Sequence, residues 1–72
     1  MHHFAMTATY LRDAATADHQ GQRIADHLRQ WGYSASADVL GTEILMSVCP
    51  DLSDIHRRYL VEQYGVSIVD DR

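Results

Sequence analysis

The sequence predicts an α+β sandwich: a four-stranded antiparallel sheet with two helices on one face. Three observations lead there. Two segments have the apolar spacing of helices and each stops at a glycine, four short segments read as strands, and the six run strand, helix, strand, strand, helix, strand. A central hairpin between two strand–helix–strand crossovers of the usual right hand closes into one sheet with both helices on the same side.

Each element has its own warrant. Phe4 to Leu11 (FAMTATYL) alternates weakly and is rich in Thr and aromatic residues, which suits a strand. Met6 is an alternative start, which would leave residues 1–5 as a disordered tail. From about Ala15 to Trp31 the positions Ala17, Gly21, Ile24, Leu28 and Trp31 recur at 4-3-4-3 spacing, with Ala25 widening the stripe. Gly32 follows as the left-handed stop. Tyr33, Ala35, Ala37 and Val39 then alternate against Ser34, Ser36 and Asp38, a half-buried strand. Gly41 lies in the turn Leu40-Gly41-Thr42, and Glu43 to Val48 (EILMSV) is the most apolar run, expected in the middle of the sheet. The second helix is expected from about Asp51 to Tyr64, with Leu52, Ile55, Tyr59 and Leu60 inward. Gly65 ends it, and Gly65 to Val69 forms the last strand. This is the ferredoxin-like βαββαβ two-layer sandwich, spanning residues 1–72 as one domain.

Composition narrows the class. At 46% hydrophobic and 22% charged, the 72-residue chain is built to fold, yet a chain this short buries only about 60% of its unfolded surface. Its single cysteine can form no internal disulfide and offers no CxxC pair. A second copy of the chain would supply missing burial, so a homodimer is an open expectation. No apolar run reaches the ~18 residues of a membrane span, and the N-terminal residues lack the features of a signal peptide. Cytoplasm is the expected compartment. A net charge of −4 argues against direct nucleic-acid binding, which calls for a basic patch.

The stretch SVCPDLSDIHRRYL, residues 47–60, holds the one cysteine, the one proline, a histidine and two arginines. A thiol before a helix N-terminus can be reactive. A phosphate-cradling loop, however, wants arginine six positions after the cysteine, and position 55 is Ile. His56 would have to double back over the helix start to serve Cys49. The structural reading explains every polar residue instead: Asp51 as N-cap, Asp54 in the first turn, and Asp54–Arg58 and Arg58–Glu62 as i,i+4 pairs. Cys49 is expected half-buried and inert. Met1-His2-His3 has the spacing of an amino-terminal copper or nickel site on a mobile tail, which carries no physiological role here. His19 and His27, eight residues apart, cannot share one ion and read as solvated helix residues. No cofactor, metal or catalytic residue is expected.

Two surfaces remain free to act. The sheet face away from the helices is expected to show Ser34, Ser36, Asp38, Leu45, Ser47, Cys49, Ser67 and Val69. The helical face carries Arg23, Arg29, Arg57 and Arg58, with Asp26 and Glu62, and Tyr10, Tyr33 and Tyr64 are candidate aromatic anchors. Paired guanidiniums at Arg57 and Arg58 suit an acidic partner. The expected function is therefore a non-enzymatic protein-interaction module that binds and modulates or inhibits a larger protein or complex. In size and charge alone it is similar to phage-encoded inhibitors of host defence such as anti-CRISPR proteins. A regulatory or ligand-binding homodimer is the alternative, and a small dimeric enzyme the third reading.

Overall fold

Phe4, Met6, Ile44, Met46 and Val48 are fully buried, and their alternation with exposed neighbours puts them all on one side of a single sheet. The structure is a computed structural model, and it describes residues 1–70. Its elements are β1 (His2–Thr7), α1 (Ala14–Gln30), β2 (Ser34–Leu40), β3 (Glu43–Cys49), α2 (Asp54–Tyr64) and β4 (Ser67–Asp70). The strands lie in the order β2-β3-β1-β4, antiparallel throughout. Both helices cover the buried side, so the chain has the ferredoxin-like arrangement that the element order predicts. Among the described residues no helix is long and apolar enough to cross a membrane.

The uncovered side follows from the same alternation. Ser34, Ser36 and Asp38 on β2, Leu45, Ser47 and Cys49 on β3, and Ser67 and Val69 on β4 face outward, as the pattern predicts, joined by His3, Ala5 and Thr7 of β1. Register aligns Leu45 with Ala5, and Ala5 with Val69, so one apolar row crosses three strands.

Helix α1 buries Ala17, Gln20, Gly21, Ile24, Ala25 and Leu28 against the sheet. Asp13 caps its start by accepting the Thr16 N–H at 2.7 Å, which satisfies one of the free donors of the first turn. At the other end Gly32 N–H reaches Arg29 O and Tyr33 N–H reaches Leu28 O, the paired bonds of a Schellman stop. That geometry needs the left-handed backbone that Gly32 adopts, at φ 97.

Several boundaries differ from expectation. Strand β1 begins at His2 and ends at Thr7, so residues 2–5 are paired strand rather than a disordered tail. Phe4 and Met6 supply the burial, and the imidazoles of His2 and His3 find polar partners on β4, on β3 and in the loop before α2. Leu11, expected in that strand, is buried from the loop instead. Helix α2 begins at Asp54, capped by Ser53 and not by Asp51. Its inward line is His56, Leu60 and Tyr64; Ile55, five residues from Leu60 and roughly 140° around the axis, is 78% exposed. The apolar spacing 52-55-59 competes with 56-60-64, and the second wins because Leu52 lies in the preceding loop, already buried there. Neither Asp54–Arg58 nor Arg58–Glu62 forms an ion pair among the described residues. Cys49, expected half-buried, is exposed at the end of β3.

Helix α1 touches the sheet most closely at Gly21. A Cβ there would stand 3.0 Å from Ile44 Cγ2 and 3.4 Å from the Cβ of Ala37. Gly21→Leu is therefore expected to lower stability in urea denaturation by about 2–3 kcal/mol through overpacking. Gly21→Ala should stay within about 1 kcal/mol of wild type, because the gain in helix propensity offsets the crowding.

Candidate functional site

The two helices meet along a seam of rings. His27 and Trp31, one turn apart at the end of α1, face His56, Tyr59 and Tyr64 of α2, and Tyr33 closes the seam from the start of β2. The Trp31 indole lies between two imidazoles, each 4.3 Å away centroid to centroid. His56 is stacked on it at 13° and His27 is tilted at 48°. Tyr59 meets Trp31 edge-on at 5.1 Å.

Hydrogen bonds fix the rings. The Ser53 N–H donates to the Tyr33 hydroxyl oxygen at 3.2 Å, and the same hydroxyl lies 2.7 Å from His56 Nδ1. The Tyr64 hydroxyl and His27 Nδ1 are 2.9 Å apart. Burial pushes the Tyr64 phenol above its ordinary value, against the opposing pull of Arg23, so it remains a neutral phenol. Beside this seam Trp31, Gly32, Tyr33, Pro50 and His56 line a shallow cleft of about 220 Å³.

The seven residues singled out from the sequence fall into different roles. Arg23 is exposed, with its guanidinium 5.9 Å from the Tyr64 ring centroid, so these two come together at the seam. Arg29 is occupied: its Nε and Nη2 donate to Ala35 O at 3.1 and 2.8 Å, and its Nη1 to Asp26 at 2.7 Å. It pins α1 to the edge strand and shields a carbonyl there. Arg57 turns away to Asp70, whereas Arg58 is exposed and makes no ion pair among the described residues. Tyr10 serves the fold, accepting from Gln20 Nε2 and donating to Tyr64 O at the end of α2. Tyr33 and Tyr64 are half-buried anchors of the seam.

No protein family, curated protein or solved structure matches the chain.

Sequence reasoning passed over the residues at the centre of the seam. His27 reads as a solvated helix residue but is half-buried against three aromatic rings. The i,i+4 pair His27–Trp31 was the available signal. His56, weighed only as a partner for Cys49, is bonded to Tyr33, while Cys49 is not among the residues lining the cleft. His2 and His3, read as a mobile tail, are also engaged. The Leu52 N–H donates to His2 Nδ1 at 3.1 Å, so His2 Nε2 donates to Asp70 at 2.9 Å, and His3 Nδ1 is 3.0 Å from the Ser47 hydroxyl. Among the described residues no three His, Cys, Asp or Glu side chains cluster closely enough to hold a metal ion.

Asp70 gathers both His2 and Arg57, and their hydrogen bonds, His2 first, hold its carboxyl below the ordinary value of 3.8. The unfolded chain thus binds more protons than the folded one just below that pH. Stability contributed by Asp70 is complete above the ordinary value and is lost as pH falls through the lower folded value. Asp13, lowered by the Thr16 N–H, acts in the same direction. Asp70→Asn should flatten the dependence of the urea midpoint on pH between roughly pH 4 and 2. An unchanged slope would show that the contact carries no linkage.

Proposed function

We propose that the protein is a small non-enzymatic interaction module that docks on a larger protein through the seam between its helices and so modulates or inhibits it. One observation carries the reading. Ile55, 78% exposed, stands on the same α2 face as exposed Arg58, Tyr59 and Glu62, beside the ring cluster around Trp31. Full burial of an isoleucine contributes about 1.5–3 kcal/mol, and aromatic residues with arginine dominate binding hot spots. Arg58 replaces the Arg57–Arg58 pair as the charged element, since Arg57 is held by Asp70.

Size and charge are what support the narrower form of the proposal, inhibition of a host-defence complex in the manner of anti-CRISPR proteins. An exposed, unpaired thiol at Cys49 suits a reducing cytoplasm. The absence of a basic surplus favours a protein partner over nucleic acid.

A second reading, a regulatory or ligand-binding homodimer closed over the open sheet, is favoured by the row Leu45–Ala5–Val69, in which Val69 is 63% exposed. On that reading Leu45→Arg converts a sedimenting dimer to a monomer.

Site-specific photocrosslinking in the source cell decides between the surfaces. A crosslinker at position 55 should yield one discrete larger species that a crosslinker at position 36, on the open sheet, does not, and Arg58→Glu should reduce it strongly. Equal yields from both positions would remove the seam as the docking site.

A further inference from the structure

Strand β2 forms one edge of the sheet, with β3 as its one neighbour among the described residues. Their register runs unbroken from Ser34–Cys49 to Leu40–Glu43. Edge strands are commonly blunted by lysine, proline or a bulge, and β2 has none of these.

The hairpin determines which of its backbone groups face outward. Gly41 and Thr42 make a two-residue turn, so the flanking Leu40 and Glu43 form a hydrogen-bonded pair. Alternation then bonds Asp38, Ser36 and Ser34 to β3 and turns the N–H and C=O groups of Ala35, Ala37 and Val39 away from it. Arg29 agrees with this direction: reaching over from α1, it donates twice to Ala35 O, which is thereby filled. The N–H groups of all three residues and the carbonyls of Ala37 and Val39 have no partner among the described residues.

This edge is complementary to itself. In an antiparallel pairing with a second copy centred on Ala37, each Ala37 N–H meets the Ala37 carbonyl of the other chain. Each Ala35 N–H likewise meets the other Val39 carbonyl. On the exposed face Ser36 then stands opposite Asp38 in both directions, a hydroxyl beside a carboxylate that makes no ion pair among the described residues. The two adjacent registers fit less well. Centring on Asp38 sets the two carboxylates against each other, and centring on Ser36 calls on Ala35 O, which Arg29 fills. The helices suit the same arrangement. Helix α1 sits over both β2 and β3, since a Cβ at Gly21 would meet Ala37 and Ile44. With strands ~4.8 Å apart, its twin comes to lie about 10 Å away, an ordinary distance for packed helices.

We propose that two copies of the chain join along β2, antiparallel about Ala37, into one continuous sheet with every helix on the same side. The contact leaves Ile55 and the open sheet face uncovered, so it stands apart from both surfaces discussed above.

The test is sedimentation of the full chain across concentration, with amide hydrogen exchange read residue by residue. In dilute chain the Ala37 amide should exchange freely between protected Ser36 and Asp38, and it should become protected as dimer forms. Ser36→Asp opposes two carboxylates and should weaken the dimer at least about threefold. Ser36→Arg sets a guanidinium against Asp38 and should tighten it about three- to tenfold. Position 36 is exposed, so neither change disturbs the core. Crosslinks from position 36 then join two copies of the chain and differ in mass from the species caught at position 55. A chain still monomeric at millimolar concentration overturns the proposal. So does a dimer whose Ala37 amide stays open, or one that ignores both Ser36 changes; its loss in Leu45→Arg would assign that dimer to the open sheet face.

Discussion

A Cβ at Gly21 would come within 3.0 Å of Ile44 Cγ2, so helix α1 lies against β2 and β3 about as closely as a helix can, and the rest of the molecule is arranged around that contact. The inward positions of β2 next to it are small, Ala35 and Ala37, and both are only half-buried. With one helix seated on the β2–β3 half, α2 is left the half over β1 and β4. The line where the two helices meet is set by this division, and Trp31 emerges there. A stack at 4.3 Å leaves little room for adjustment, so a shift of α1 by an ångström would part Trp31 from His56. The position without a side chain thereby governs the one with the largest ring.

Much of this was legible in the residues. The alternation of Tyr33 to Val39, the 4-3-4-3 spacing of α1 and its Gly32 stop, and the apolar run of β3 each report a single dominant force, burial of one face. Where two forces competed, the reading slipped. In α2 two stripes of nearly equal apolar content were available, and choosing between them needs the loop that carries Leu52, a tertiary fact. In β1 the imidazoles of His2 and His3 look like tail residues until Leu52, Asp70 and Ser47 are brought up from distant parts of the chain.

The seam was the least legible part for the same reason. Its hydrogen bonds link residues 20 to 37 positions apart, and no spacing rule along the chain announces them. The arginines and tyrosines drew attention because their types dominate interfaces, yet most are occupied by the fold. Arg29 ties down an edge carbonyl, Arg57 binds Asp70, and Tyr10 and Tyr33 each hold a backbone group. A residue type suited to recognition is equally suited to internal pinning, and only geometry separates the two.

A chain of this size has a small core, and its polar pins do part of the work that a larger core would do. The phenol–imidazole pairs are half-buried, where a hydrogen bond competes less with water than at the open surface and holds the rings in one arrangement. That arrangement matters for binding. Ordering loose side chains at an interface costs about 0.5–1.5 kcal/mol each, and Trp31, Tyr33, His56 and Tyr64 are already ordered by the fold. The open sheet has less of this: its apolar row is Leu45, Ala5 and Val69, and His3–Ser47 is the side-chain hydrogen bond described on it. Rigidity and ring area coincide on the helical side, which is the physical reason for proposing that face as the recognition surface.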